Sequence, residues 1–155
     1  MNEAIIKKVN TSVPSIRKNK SELQVVTKAK DLCSYILTIT QKSTKKFRFT
    51  LVTRLQNLAL DVIQDIYEAN EIYLKNNTQQ KINERICKQR SALTKIKLIA
   101  YLSHLAREQS CILPKHFENI SAIAHDCQYL LAAWIKKSKE GLESQKRTID
   151  NSSAE

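Results

Sequence analysis

Apolar residues recur along the chain at spacings of three and four, the period of helices that bury one side. The first stripe is Val25, Ala29, Leu32, Ile36 and Ile39, with Val26 and Cys33 beside it. Ser21-Glu22-Leu23-Gln24 ahead of it has the form of a capping box. A helix over 22–40 is predicted. The second stripe, Leu51, Leu55, Leu58, Val62, Ile66, Ala69 and Tyr73, is broadened by Val52, Ala59 and Ile63. It predicts a helix over 46–75, stopped by Asn76-Asn77, with Asn77 and Gln80 capping the next.

The third helix, over 78–109, has two apolar sides. Ile82, Ile86, Leu93, Ile96 and Ala100 share one, and Cys87, Leu98, Leu102 and Leu105 fall on another. Such a helix sits centrally or packs on another subunit, so self-association is expected. Pro114, tolerated in a first turn, introduces a fourth helix over 115–139. Its stripe is Phe117, Ile120, Ile123, Ala124, Cys127, Leu130, Leu131, Trp134 and Ile135, and Gly141 stands where a C-terminal cap belongs. Short connections imply antiparallel neighbours. The predicted architecture is all-α, an up-down-up-down four-helix bundle over 22–140. Residues 1–21 read as a flexible basic arm, and 141–155 as a disordered polar tail.

Composition narrows the classes. One glycine and two prolines in 155 residues leave little means for tight hairpins or phosphate-cradling loops. Four cysteines without CxxC spacing, and a start lacking a sustained apolar run, fit a reducing cytoplasm. The longest apolar run, "YLLAAWI", is too short to span a bilayer.

The net charge of +11 is uneven. Residues 1–50 hold 11 Lys and Arg against 3 Asp and Glu, whereas residues 101–155 hold 7 against 7. That asymmetry points to a polyanion partner, with general solubility as the bland alternative. Lys42, Lys45, Lys46 and Arg48 cluster before the second helix, with Arg54 two turns on. Cations at a helix N-terminus oppose the macrodipole, so this cluster does not serve helix stability. Lys81, Arg85, Lys88 and Lys95 keep to one stripe of the third helix. Such rows can track phosphates, although any lysine-rich helical surface shows a stripe somewhere. Few exposed aromatics are expected, which argues against base-specific reading.

Other chemistry is weaker. His116 and His125 fall on opposite sides of one helix, and no Glu-x-x-His pair exists, so the histidines read as surface residues. Asp61, Asp65 and Glu68 lie opposite the apolar stripe, as a solvated row or a docking row for a basic neighbour. No nucleophile–base pair stands out. Neither catalysis, a cofactor nor a small-molecule substrate is expected.

"KAKDLCSYILTIT", "KKFRFTLVTRLQNLALDVIQDIYEAN", "RSALTKIKLIAYLSHLAREQSCILPKHFENI" and "DCQYLLAAWIKK" resemble bacterial four-helix-bundle proteins related to Avd. Avd is the accessory variability determinant of diversity-generating retroelements. The resemblance covers residues 23–137 and is most specific at the "F-R-F" start, "L-A-L-D-V-I" middle and "E-A-N" end of the second helix. It implies a homo-oligomeric, typically pentameric, ring with a basic surface. It further implies binding to a reverse transcriptase and its template RNA, or an RNA–DNA hybrid, in support of mutagenic cDNA synthesis. No catalytic residue is implied. The family's diffuse cations map onto Lys45, Lys46, Arg48, Arg54, Arg85 and Lys88. Relatives also occur within ribosomal-RNA intervening sequences. A helical protein–protein scaffold is the alternative.

Overall fold

The computed structural model describes residues 20–74 and 78–152. Most of the basic arm and the Asn76-Asn77 stop lie outside the described residues, as does the Asn77 cap. Within them the chain is all-helical: α1 (Lys20–Thr40), α2 (Thr53–Glu71), α3 (Gln79–Glu108) and α4 (Pro114–Ser152). α1 packs on α2 and α4, and α3 packs on the same two helices. Each helix turns its 3–4 stripe inward. Leu32, Ile36, Leu55, Leu58, Ile66, Ile96, Ile99, Ile120, Leu131 and Trp134 are fully or almost fully buried. Each such side chain contributes about 1.5–3 kcal/mol relative to exposure.

The helix ends follow local chemistry. α1 runs from Lys20, so Ser21 lies within its bounds. At its far end Thr40 Oγ1 donates to the Ile36 carbonyl at 2.7 Å, and Ser43 Oγ to the Thr40 carbonyl at 2.8 Å. α2 ends at Glu71, earlier than predicted, where Ile72 turns extended. Tyr73, assigned to the apolar stripe, is therefore outside the helix and 56% exposed. α3 closes in a Schellman motif. Ser110 is left-handed, with φ 55°. Ser110 N–H donates to the Arg107 carbonyl at 3.0 Å, and Cys111 N–H to the Ala106 carbonyl at 2.8 Å. Serine here takes a conformation that glycine adopts more cheaply.

α4 departs most from expectation. It starts at Pro114 and passes through Gly141 to Ser152, so residues 141–152 of the expected disordered tail are helical. Gly141 does not take the left-handed conformation a cap requires. As an interior helical glycine it costs about 1 kcal/mol relative to alanine. The helix continues through it to Ser152. Good helix formers around it, with Ser144 Oγ bonded to the Glu140 carbonyl at 2.9 Å, extend it further.

The core face of α3 is Ile82, Ile86, Gln89, Ala92, Ile96, Ile99, Ser103 and Ala106. Leu93 and Ala100, assigned to that face, only flank it. Two polar residues interrupt the stripe, which is why the sequence pattern looked divided. Gln89 is wholly buried, and its Nε2 donates to Ser138 Oγ of α4 at 3.0 Å. Its Oε1 finds no partner among the described residues. Cys33, Cys111 and Cys127 are buried and Cys87 is exposed. Burial pushes the Cys127 thiol up to about 12, and that of Cys33 also upward, so both stay protonated at neutral pH.

Ser138→Ala leaves the Gln89 amide without its acceptor, and a loss of about 1–3 kcal/mol is expected in urea unfolding. Adding Gln89→Leu to that variant should return most of it, because no buried polar group then remains unpaired.

Candidate nucleic-acid interface

The segment joining α1 to α2 is neither loop nor α-helix. A 3₁₀ turn, Lys45–Phe47, leads into a π turn, Arg48–Val52. The second helix therefore does not run regularly from 46. The core stripe of α2 read backwards is Ala59, Leu55 and Val52, at steps of four and three. A regular helix would next bring residue 48 to the core. The π turn inserts one residue, which rotates everything before it by about 100°. Phe47 takes the core-facing place and packs, half-buried, against the cluster. Arg48 and Phe49 turn to water instead.

Hydrogen bonds hold this corner. Gln56 Nε2 donates to Thr40 Oγ1 at 2.8 Å, and Arg48 Nη2 donates to the Ser43 carbonyl at 3.2 Å. Thr53 Oγ1 donates to the Arg48 carbonyl at 2.6 Å. Lys42, Lys45, Lys46, Arg48 and Arg54 are all exposed around it. From residue 32 to residue 60 these five cations are accompanied by no Asp or Glu. Their fields add on one convex corner, as polyanion binding needs.

The α3 stripe is placed differently. Lys95 Nζ meets Asp65 Oδ2 at 2.7 Å, with the Asp65 side chain only 9% exposed. Lys88 Nζ meets Glu68 Oε2 at 2.5 Å. That hydrogen bond holds the Glu68 carboxyl below its usual range, helped by Gln64, and raises Lys88. Arg85 donates from Nε to the Ala69 carbonyl at 3.0 Å and lies over the Trp134 ring. Of the four predicted α3 cations, Lys81 alone is fully exposed. Asp65 and Glu68 thus dock cations of α3, and Asp65 is buried rather than solvated. Arg85, Lys88 and Lys95 stitch α2, α3 and α4 together.

No protein-family model matches the chain, and no curated protein matches it. Among solved structures it is similar to a protein of unknown function from the S23 ribosomal protein family of Bacteroides thetaiotaomicron VPI-5482. The TM-score is 0.60 at 18% identity, over 75% of this chain and 98% of that one. What the two share is the fold.

Beside the corner, Phe47, Thr50, Leu51 and Arg54 face Leu102, Leu105 and Gln109 across an open groove of about 480 Å³. The outer side of α3 carries Leu98, Tyr101 and Leu105 in exposed positions. Aromatic residues are more exposed than expected: Phe49, Tyr67, Tyr73, Tyr101 and Tyr129 are each more than half accessible. Phe49, at 87%, is the most exposed of the large apolar side chains described. The interleaving of "KKFRF" could have signalled it, but an unbroken helical period was assumed there. His104 and His125 are exposed. His116 is half-buried, its Nδ1 2.9 Å from the Tyr35 hydroxyl, which also accepts from Asn119 at 2.8 Å. No described group of His, Cys, Asp and Glu gathers as metal ligands do. No helix among the described residues is long and apolar enough to cross a membrane.

Lys95→Ala strands the Asp65 carboxylate in a nearly buried site, and a loss of about 2–3 kcal/mol is expected in denaturant unfolding. Lys81→Ala, at an exposed position without that role, should stay within about 0.5 kcal/mol of the parent.

Proposed function

We propose that the chain is a non-enzymatic nucleic-acid-binding accessory protein, gripping RNA or an RNA–DNA hybrid through the α1–α2 corner. The observation carrying this reading is the exposed cation cluster at Lys42, Lys45, Lys46, Arg48 and Arg54, which meets no carboxylate among the described residues. It stands against an α3 stripe whose cations are largely engaged within the fold. A neighbour assigned to a ribosomal protein family is in keeping with an RNA partner. The Avd resemblance supplies the context: a template RNA, a reverse transcriptase and mutagenic cDNA synthesis in a diversity-generating retroelement. In this reading the four helices form an antiparallel up-down-up-down bundle. The exposed outer side of α3, with Leu98, Tyr101 and Leu105, packs between copies in a homopentameric ring.

That same outer side favours a second reading, a helical adaptor that holds a protein partner and no nucleic acid. Salt dependence separates the two, since each phosphate contact releases counterions.

RNA affinity should fall steeply between ~50 and ~200 mM salt. Reversing Lys45, Lys46 and Arg48 to Glu should weaken binding about tenfold or more and flatten the log–log salt slope by about 2. Helical content should not change. Equal RNA affinity of parent and variant across the salt series removes the corner from the interface. Light scattering on the purified chain is expected to give a multiple of the 17.8 kDa protomer; a monomer indifferent to RNA is the adaptor's result.

A further inference from the structure

We propose that the corner takes its nucleic acid single-stranded, with an unpaired base stacked on Phe49 between phosphates held by Lys45, Lys46 and Arg48. The proposal rests on the nucleic-acid reading above and names the substrate class of that site. Phe49 is 87% exposed in a segment whose backbone is tied down on both sides. The π turn puts it there: the residue that rotates Phe47 into the core rotates Phe49 out. Short π segments of this kind recur at functional sites.

The surrounding rings sharpen the contrast. Phe47 has Lys46 over its face at 5.1 Å, and Phe117 has Arg107 at 5.0 Å. Phe49 has neither a cation nor a second ring stacked on it among the described residues, so its face is open. Two cations closely precede it in sequence, Lys46 and Arg48, and Arg54 follows five residues on. Base-stacking platforms combine these two elements, a basic track for the backbone and an aromatic face for the bases. A duplex has no use for the ring, because its base faces are already stacked and its edges lie inside the grooves. The neighbouring groove is lined by apolar Leu51 and Leu102 together with Arg54 and Gln109.

The test uses the full chain with a fluorescein-labelled oligouridylate and a duplex RNA of equal length. The parent should prefer the single strand. Phe49→Leu keeps the apolar bulk but has no π face, and should lose about tenfold for oligouridylate while leaving duplex affinity unchanged. Phe49→Trp should keep affinity, and its new indole emission should be quenched by oligouridylate, while the buried Trp134 contributes a constant background. Phe49→Leu binding the single strand as tightly as the parent overturns the stacking, even where the charge-reversed corner still loses affinity. A change of oligomeric mass in Phe49→Leu without loss of affinity assigns the ring to a subunit contact and overturns it too. If the charge-reversed corner binds like the parent, the nucleic-acid reading itself falls.

Discussion

Packing of the half-buried Phe47 ring against the core cluster sets how the chain is rotated at the α1–α2 corner. The stripe Val52, Leu55, Ala59, Val62, Ile66 and Ala69 is set by packing on α1 and α3. Continued as a regular helix it would carry the Arg48 guanidinium inward, where removing a charge from water costs several kcal/mol. Inserting one residue places an aromatic ring inside and the charge outside. Two threonine hydroxyls, at Thr50 and Thr53, accept the irregular geometry by bonding to the Phe47 and Arg48 carbonyls. The cationic surface is thus a consequence of how the core closes at that end.

The basic residues divide into two populations with different physical roles. On α3 the charges face carboxylates of α2 across the helix interface, and the Lys95–Asp65 pair is shielded enough to matter for stability. At the corner no carboxylate meets the cations among the described residues; Arg48 bonds a backbone carbonyl and Lys46 lies over the Phe47 ring. The uneven charge along the sequence follows from this division. Carboxylates are supplied where helices must be joined, as at Asp65 and Glu68, and none lies between Asp31 and Asp61. Self-repulsion at the corner is a cost that no nearby carboxylate offsets, and a bound polyanion would relieve it.

Most of the fold was legible because helical period and breakers agree. The α1 stop at Thr40, the break before Pro114 and the buried stripes of α1, α2 and α4 all follow from spacing and local chemistry. Three features were not. Gln89 and Ser103 occupy core positions of α3, so a reading by hydrophobicity split its face in two. Gly141 looked like a cap, but a glycine ends a helix only where it turns left-handed, and here it keeps the helical conformation. Ser110, which does cap, carries no glycine signal at all. For the site, the 42–48 cluster was visible as charge. The separation of corner cations from stitching cations needed the helix pairing. Phe49 was missed because a one-residue insertion leaves no mark in composition and disturbs the period by a single step.

The same hydrogen bonds that define the corner also lower the cost of using it. A flexible basic segment must be ordered when it meets a polyanion, and fixing one residue's backbone costs about 1–2 kcal/mol. Between Thr40 and Thr53 that ordering is already made in folding, through Ser43 on Thr40, Gln56 on Thr40, Arg48 on Ser43 and Thr53 on Arg48. Binding then immobilises side-chain rotamers alone, at about 0.5–1.5 kcal/mol for each long side chain. Phe49 adds less, since two torsions describe it. In the proposed binding, a corner with a fixed backbone and one rigid ring would keep more of its contact energy as affinity than a flexible basic segment of equal charge.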